Sequence, residues 1–239
     1  VSYGIFNDSN ETASVGDYRK GRVSSGLWVK NFYDTEIKIL SGLVVFGLTG
    51  GNGNDVKDIQ FGLSASTLIF VDRAYPTPTR NEADLWIVNY FNGISGTSQY
   101  SVFDNANFVL TDADIGVGST GRVARNNSGS PVAVTSGRYV WYFVGINNDV
   151  HDYHRSFSFM GDDEYINVGS AENGLENERA TIEATMLQKQ GARLVYGVLI
   201  ETSNNMSNAV KGRIEEIVTL SQNDTSFLPS VSLPPEFVN

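Results

Sequence analysis

The chain has 239 residues, of which 41% are apolar and only 18% charged, where a soluble domain usually carries roughly 25% charged residues. Small and polar residues fill the gap, with 24 Gly and 22 Asn, and the formal net charge is −10 from 17 Lys and Arg against 27 Asp and Glu. That balance argues against nucleic acid, whose binding needs a basic surface to release counterions, and against an anionic membrane face. No apolar run of about 18 residues exists to span a bilayer, and the absence of cysteine removes thiolate zinc sites, thiol nucleophiles and disulfides together.

Residues 1–24 read as an N-terminal arm and first turn, 25–220 as a single domain, and 221–239, with Pro229, Pro234 and Pro235, as an extended C-terminal tail. The opening at Val1, without Met or a signal peptide, reads as the start of a mature form. Residues 27–32 predict a first strand, and 36–39 a second across the Asp34-Thr35 turn. Residues 43–48 form a continuous apolar run suited to a strand covered on both faces, ended by the Gly- and Asn-rich turn 49–55. Period-two patterns then predict strands at 58–63, 67–72, 84–91, 100–110, 138–146, 153–160 and 164–168, with a loop over 119–131. Residues 180–186 alternate and are joined by 188–191 to 193–201, which predicts a hairpin. A helix over 173–187 competes, because Glu176, Glu178 and Arg179 suit a helical start. Residues 209–220 fit a helix face through Val210, Ile214, Ile217 and Val218, and a strand through their β-branched content. Segments at this spacing predict a mainly β fold: an antiparallel β-sandwich of jelly-roll kind, with one or two short helices and extended N- and C-terminal arms.

Catalytic signals are poor. The two histidines, His151 and His154, are three apart, which suits metal binding on a helix but sends them to opposite faces of the strand that Phe157-Ser158-Phe159 predicts. Asn127-Ser128-Gly129 lacks the first Gly of a nucleophile elbow. Gly116-Val117-Gly118-Ser119-Thr120-Gly121 matches the dinucleotide pattern literally but has no following helix. Among acids, Asp162-Asp163-Glu164 is the densest cluster, ahead of Asp112 with Asp114 and of Glu215-Glu216. Two carboxylates suffice for glycoside hydrolysis, yet these three follow Gly161 in a turn setting. Calcium, which takes hard oxygen ligands from loops, gives the one candidate ion set: Asn147, Asp149, Asp162, Asp163 and Glu164, without the twelve-residue loop pattern. No catalytic residue and no cofactor is expected. Aromatic residues cluster in 139–143, where Tyr139, Trp141 and Phe143 share one side and Val140 and Tyr142 the other, and again at Trp86, Tyr90 and Phe91. Core packing explains most of them; a sugar-stacking platform or a subunit interface would use the same residues. Glycosylation sequons stand at Asn7, Asn10, Asn126, Asn205 and Asn223.

The start Gly4-Ile5-Phe6-Asn7-Asp8-Ser9, then Tyr18-Arg19-Lys20-Gly21, Leu27-Trp28-Val29-Lys30-Asn31 and Ile37-Lys38, resembles TasA/camelysin-type secreted filament subunits over residues 4–48. The resemblance implies jelly-roll subunits whose N-terminal strand completes a neighbour and so forms fibres. Arg22-Val23-Ser24-Ser25 departs from the family, which has Gly-Thr-Leu-Asp-Leu there.

The expected function is therefore a non-enzymatic structural subunit that polymerises with copies of itself, at a cell surface, in an extracellular matrix or in a virion as a capsid, decoration or tail-tube protein. Val1, Tyr3, Ile5 and Phe6 form the assembly arm, which adds a strand to a neighbour's open edge. The alternative is a lectin-like sandwich that binds a host-surface glycan, with a glycosidase or lyase behind it. A surface of Asn, Ser, Thr and Gly desolvates against copies of itself at less cost than one dense in Lys and Glu.

Overall fold

The computed structural model describes residues 37–70, 73–91, 100–147, 155–183 and 192–220. The arm residues Val1, Tyr3, Ile5 and Phe6, the strand predicted at 27–32, Asp149, both histidines and the tail 221–239 lie outside them. In chain order the elements are β1 (Lys38–Gly42), β2 (Val45–Phe46), a 3-10 helix (Val56–Ile59), β3 (Gly62–Leu63), β4 (Ser66–Phe70) and β5 (Arg73–Thr77). Then come β6 (Trp86–Phe91), β7 (Tyr100–Ala106), β8 (Ala124–Arg125), β9 (Val132–Ala133), β10 (Arg138–Asn147) and β11 (Ser156–Met160). The helix α1 (Val168–Ile182), β12 (Ala192–Thr202) and β13 (Gly212–Thr219) complete the series. The fold is mainly β, as the period-two patterns predict. Among the described residues no helix is long and apolar enough to cross a membrane.

The main sheet has six strands in the order β13-β12-β10-β11-β6-β7. Every neighbouring pair in it is antiparallel except β11–β6. A second, antiparallel sheet has the order β1-β4-β5, and β2–β3 and β8–β9 are two-stranded ribbons. Alternation along β10 explains the layering. Val140, Tyr142, Val144 and Ile146 enter one core with Ile39, Leu43 and Leu68 from the region of the smaller sheet. Trp141 and Phe143 enter a second core with Phe157, Phe159 and the α1 residues Ala171 and Ile182. The central strands are thus covered on both faces, and each large side chain so buried contributes about 1.5–3 kcal/mol.

Four predicted strands need correction. The run 43–48 is not covered on both faces: Leu43 and Val45 point inward, while Val44 and Phe46 are each 37% exposed. Left-handed backbone at Gly42 (φ 76°), Leu43 (φ 61°) and Gly47 (φ 79°) breaks it into a two-residue strand. The strand predicted at 58–63 begins instead in the 3-10 helix, which Asp55 and Asp58 close with a capping box. At 164–168 only Tyr165 bridges to Tyr139, and Asn167 caps α1 by accepting the Ser170 N–H at 2.8 Å. Residues 180–182 belong to α1 rather than to a hairpin strand. The stripe facing the sheet, Ala171, Leu175, Glu178 and Ile182, has helical spacing but carries a buried acid. Residues 209–220 resolve in favour of a strand, β13.

Candidate functional site

The acid cluster sits where β11 hands the chain to α1. Gly161 turns it there: its N–H donates to Trp141 O at 3.0 Å and its carbonyl accepts from Asn126 N at 2.8 Å. A Cβ at Gly161 would collide with Trp141 O and with the Glu178 carboxylate, so only glycine fits. Glu178, buried beneath the loop, accepts from the N–H groups of Asp162 and of Asp163 (3.1 Å) and from the Tyr165 hydroxyl (3.0 Å). Burial pushes its carboxyl up to about 8, against the three donors that favour the charged form. Asp162 is also raised, by burial first, and accepts from Asn126 Nδ2 through its side chain and from Arg125 (2.6 Å) through its carbonyl. Glu164 is held by Thr135, whose N–H and hydroxyl donate at 2.9 and 3.0 Å, with Arg125 at 3.7 Å.

These carboxylates are occupied in fastening a loop to a helix and to the β8–β9 ribbon. Of the predicted ion ligands, Asn147 lies apart from Asp162: it ends β10 beside the start of β11, whereas Asp162 follows the far end of β11, where Met160 pairs with Tyr142, and Asp149 lies outside the described residues. Among the described residues no group of three His, Asp or Glu side chains is placed to hold a metal.

The Gly-x-Gly-x-x-Gly stretch is an internal anion site already filled by its own chain. Asp112 accepts from Thr120 N (2.9 Å), Thr120 Oγ1 (2.7 Å) and Gly121 N (2.8 Å). Burial raises the Asp112 carboxyl, but these donors outweigh it and hold the group below the usual carboxylate range. The amides that would cradle a phosphate therefore already cradle a carboxylate, and β8 rather than a helix follows. The turn 49–55 is organised in the same way. Asp58 accepts from the N–H groups of Gly53, Asn54 and Asp55 at 2.9–3.1 Å and from the Thr49 hydroxyl at 3.1 Å.

Aromatic rings are spent on the interior. Trp86 packs against Phe61 and Phe108, with Arg80 stacked 4.4 Å from its centroid, and Trp141 Nε1 donates to Ala171 O at 2.8 Å. Tyr142 and Tyr196 are buried and donate to Ala124 O and Leu43 O. Among the described residues Phe46 is the single ring among the exposed large apolar side chains. Of the sequons, Asn126 is fully buried with its amide on Asp162, and Asn205 lies exposed in a turn; the other three lie outside the described residues.

Two surface features remain. The first is a set of four sheet edges that differ in protection. β13 carries Arg213 in ion pairs with Glu201 (2.7 Å) and Glu215 (3.0 Å), beside Glu216. β5 contains Pro76, and β1 is bulged at Leu40. Charge, proline and bulges are the ordinary ways of blunting an edge. β7 has seven residues without Pro, Lys or Arg; it carries one charge, Asp104, at a bulge between Phe103 and Ala106, and Val102 is 54% exposed. Among the described residues no strand pairs with its outer side. The second feature is a small cleft with a floor of Ile59, Trp86, Phe108 and Val210 and a rim that includes Glu82 and Asp84. Sequence reasoning missed it because its walls come from four separate stretches of chain. No protein-family model, curated protein or solved structure matches the chain.

Proposed function

We propose that the protein is a non-enzymatic structural subunit that assembles with copies of itself outside the cell, as a surface or matrix filament or as a virion component. The observation that carries this reading is the seven-residue edge of β7, which holds no Pro, Lys or Arg and whose outer side no strand pairs among the described residues. An open strand edge is a template for another chain, and natural monomers cover or charge it. Val1, Tyr3 and Ile5 alternate as a strand requires, and residues 1–6 carry no charged side chain. Six extended residues span about 20 Å, comparable to a strand the length of β7. Strand addition supplies main-chain hydrogen bonds that offset the ordering of the arm. The filament resemblance of residues 4–48 supports the same reading. We read the β1-β4-β5 sheet and the main sheet, which share one core, as the sandwich of the subunit. The occupied carboxylates and the interior aromatics weigh against the glycosidase and lectin alternatives.

Electron microscopy of the purified chain tests this reading. Regular fibres or shells are expected, and deletion of residues 1–8 should leave a folded, β-rich monomer. A truncated chain that still forms normal polymers would remove the arm, and a full chain that stays monomeric would remove the function. Because the chain has no cysteine, Ile5→Cys with Val102→Cys should give intermolecular disulfides without competing thiols.

A further inference from the structure

The turn between β12 and β13 holds Asn205-Met206-Ser207, an Asn-x-Ser sequence with Met rather than Pro in the middle. Side chains alternate across it: Met206 and Asn208 are buried, whereas Asn204, Asn205 and Ser207 are exposed. The buried pair fastens the turn. Met206 packs on Gly53, where a Cβ would strike it, and the N–H groups of Ser207 and Asn208 both donate to Gly53 O at 3.1 Å. Lys211 Nζ donates to the carbonyls of Asn204 and Met206 at 3.4 Å. Asn205 therefore projects from a fixed tip. Its backbone N–H donates to Ser203 Oγ at 3.2 Å, and its side-chain amide makes no hydrogen bond among the described residues. Asn126 carries the same motif in the opposite setting, fully buried with its amide on Asp162. A sugar on Asn126 would need room that the interior lacks, whereas one on Asn205 extends into solvent and breaks no contact.

We propose that Asn205 is an N-glycosylation site, which receives its oligosaccharide from a lipid-linked pyrophosphate donor during export. The proposal rests on the extracellular part of the self-assembly reading and adds a modification to it. In the transfer, Asn205 Nδ2 forms the bond to C1 of the first sugar and gives up one proton, while the bond from C1 to the lipid pyrophosphate breaks. In the folded turn Ser207 Oγ donates to Asn54 Oδ1 at 2.8 Å, so the motif is read before the turn closes. The fold then decides where a sugar can stay. β12 stands four strands from β7 in the main sheet, about 19 Å at about 4.8 Å per strand, so a glycan on the turn leaves the open edge clear.

Secretion of the full chain from a eukaryotic cell tests the site. Mass spectrometry maps the glycans after an amidase converts each glycosylated Asn to Asp in heavy-oxygen water. Asn205 should carry glycan in the wild type, lose it completely in Asn205→Gln and in Ser207→Ala, and keep it in Ser207→Thr, which preserves the motif and the hydroxyl on Asn54. Circular dichroism checks that each variant is folded. A secreted wild type bare at Asn205 overturns the site, as does Ser207→Thr without glycan. Glycan on Asn126 in the folded, secreted protein would overturn the burial argument that separates the two motifs. Enzymatic removal of the glycan from the native protein then separates this site from the assembly reading. Polymers that form equally well before and after removal support a glycan on a free surface. Polymers that form only after removal place Asn205 inside a contact between copies and overturn the site. A glycosylated chain that stays monomeric before and after removal retires self-assembly and supports the site alone.

Discussion

Asp112 and Glu178 are both buried carboxyls that accept three hydrogen bonds from a loop, yet they sit at opposite ends of the carboxylate range. Asp112 is held below its usual value by Thr120 and Gly121, whereas Glu178 rises from an ordinary 4.5 to about 8. The number of donors is the same, so it does not decide. Asp112 is closed off by the largely exposed loop 116–120 that wraps it, whereas Glu178 lies between α1 and the 161–165 loop with Asp163 as a like charge beside it. Three hydrogen bonds outweigh desolvation at the first site and lose to it at the second. Function follows the same division: neither carboxyl is free to act as an acid or base on a substrate, because each is the pin of its own loop.

The largest expected effect separates the two by pH. Glu178 binds its proton more tightly folded than unfolded, so its contribution to stability is full below pH 4.5 and is lost as pH rises towards 8. At about 1.4 kcal/mol per unit, the loss is on the order of 4 kcal/mol. Chemical denaturation of the wild type and Glu178→Gln at pH 5 and pH 8.5 measures it: the difference between the two proteins should change by that order, with the wild type the more pH-sensitive. Asp112 acts in the other window. Its stabilisation is present above pH 3.8 and is lost as pH falls through its lowered folded value, a slope that Asp112→Asn should flatten. A wild-type curve parallel to that of Glu178→Gln between pH 5 and 8.5 would erase the contrast.

At neutral pH, Asp112→Ala should cost about 3 kcal/mol, because it leaves the Thr120 and Gly121 donors without an acceptor. The midpoint of urea unfolding reads this directly. Gly118→Ala should follow at about 2 kcal/mol, since the added Cβ would lie against the Asp112 carboxylate in a packed turn. A Gly118→Ala protein as stable as the wild type would mean that the loop is not wrapped on Asp112.

How far these features can be read in advance depends on whether one stretch of chain contains them. Strands β4, β6, β10 and β12 were legible because period-two alternation is local, and the split of Trp141 from Tyr142 to opposite cores follows from it. The α1 stripe was obscured because Glu178 occupies a core position, which in a sequence looks like a solvent face. Gly and Asn density announced the turn at 49–55, and 116–121 stood out only as a literal dinucleotide match; their anchors, Asp58 and Asp112, lie outside the glycine runs. Only the direction of the side chain distinguishes an anchor from a surface acid. The cleft was not legible at all, because its floor joins Ile59, Trp86, Phe108 and Val210 through tertiary packing.

The smallest effects compare one donor at each carboxyl. Thr120→Val removes a hydroxyl that donates at 2.7 Å to an ionised group, a bond worth about 1.5–3 kcal/mol. Tyr165→Phe removes a hydroxyl that donates at 3.0 Å to Glu178, which holds its proton at neutral pH, so that bond is worth only about 1 kcal/mol. At pH 7 Thr120→Val should therefore be the more destabilising, although a tyrosine loses the larger and more buried polar contact. Raising the pH to 9 ionises Glu178, and the Tyr165 hydroxyl then donates to a charge. The cost of Tyr165→Phe should rise towards that of Thr120→Val, while the cost of Thr120→Val stays constant. Equal costs at both pH values would mean that the two carboxyls share one charge state, and that burial under α1 does not set Glu178 apart.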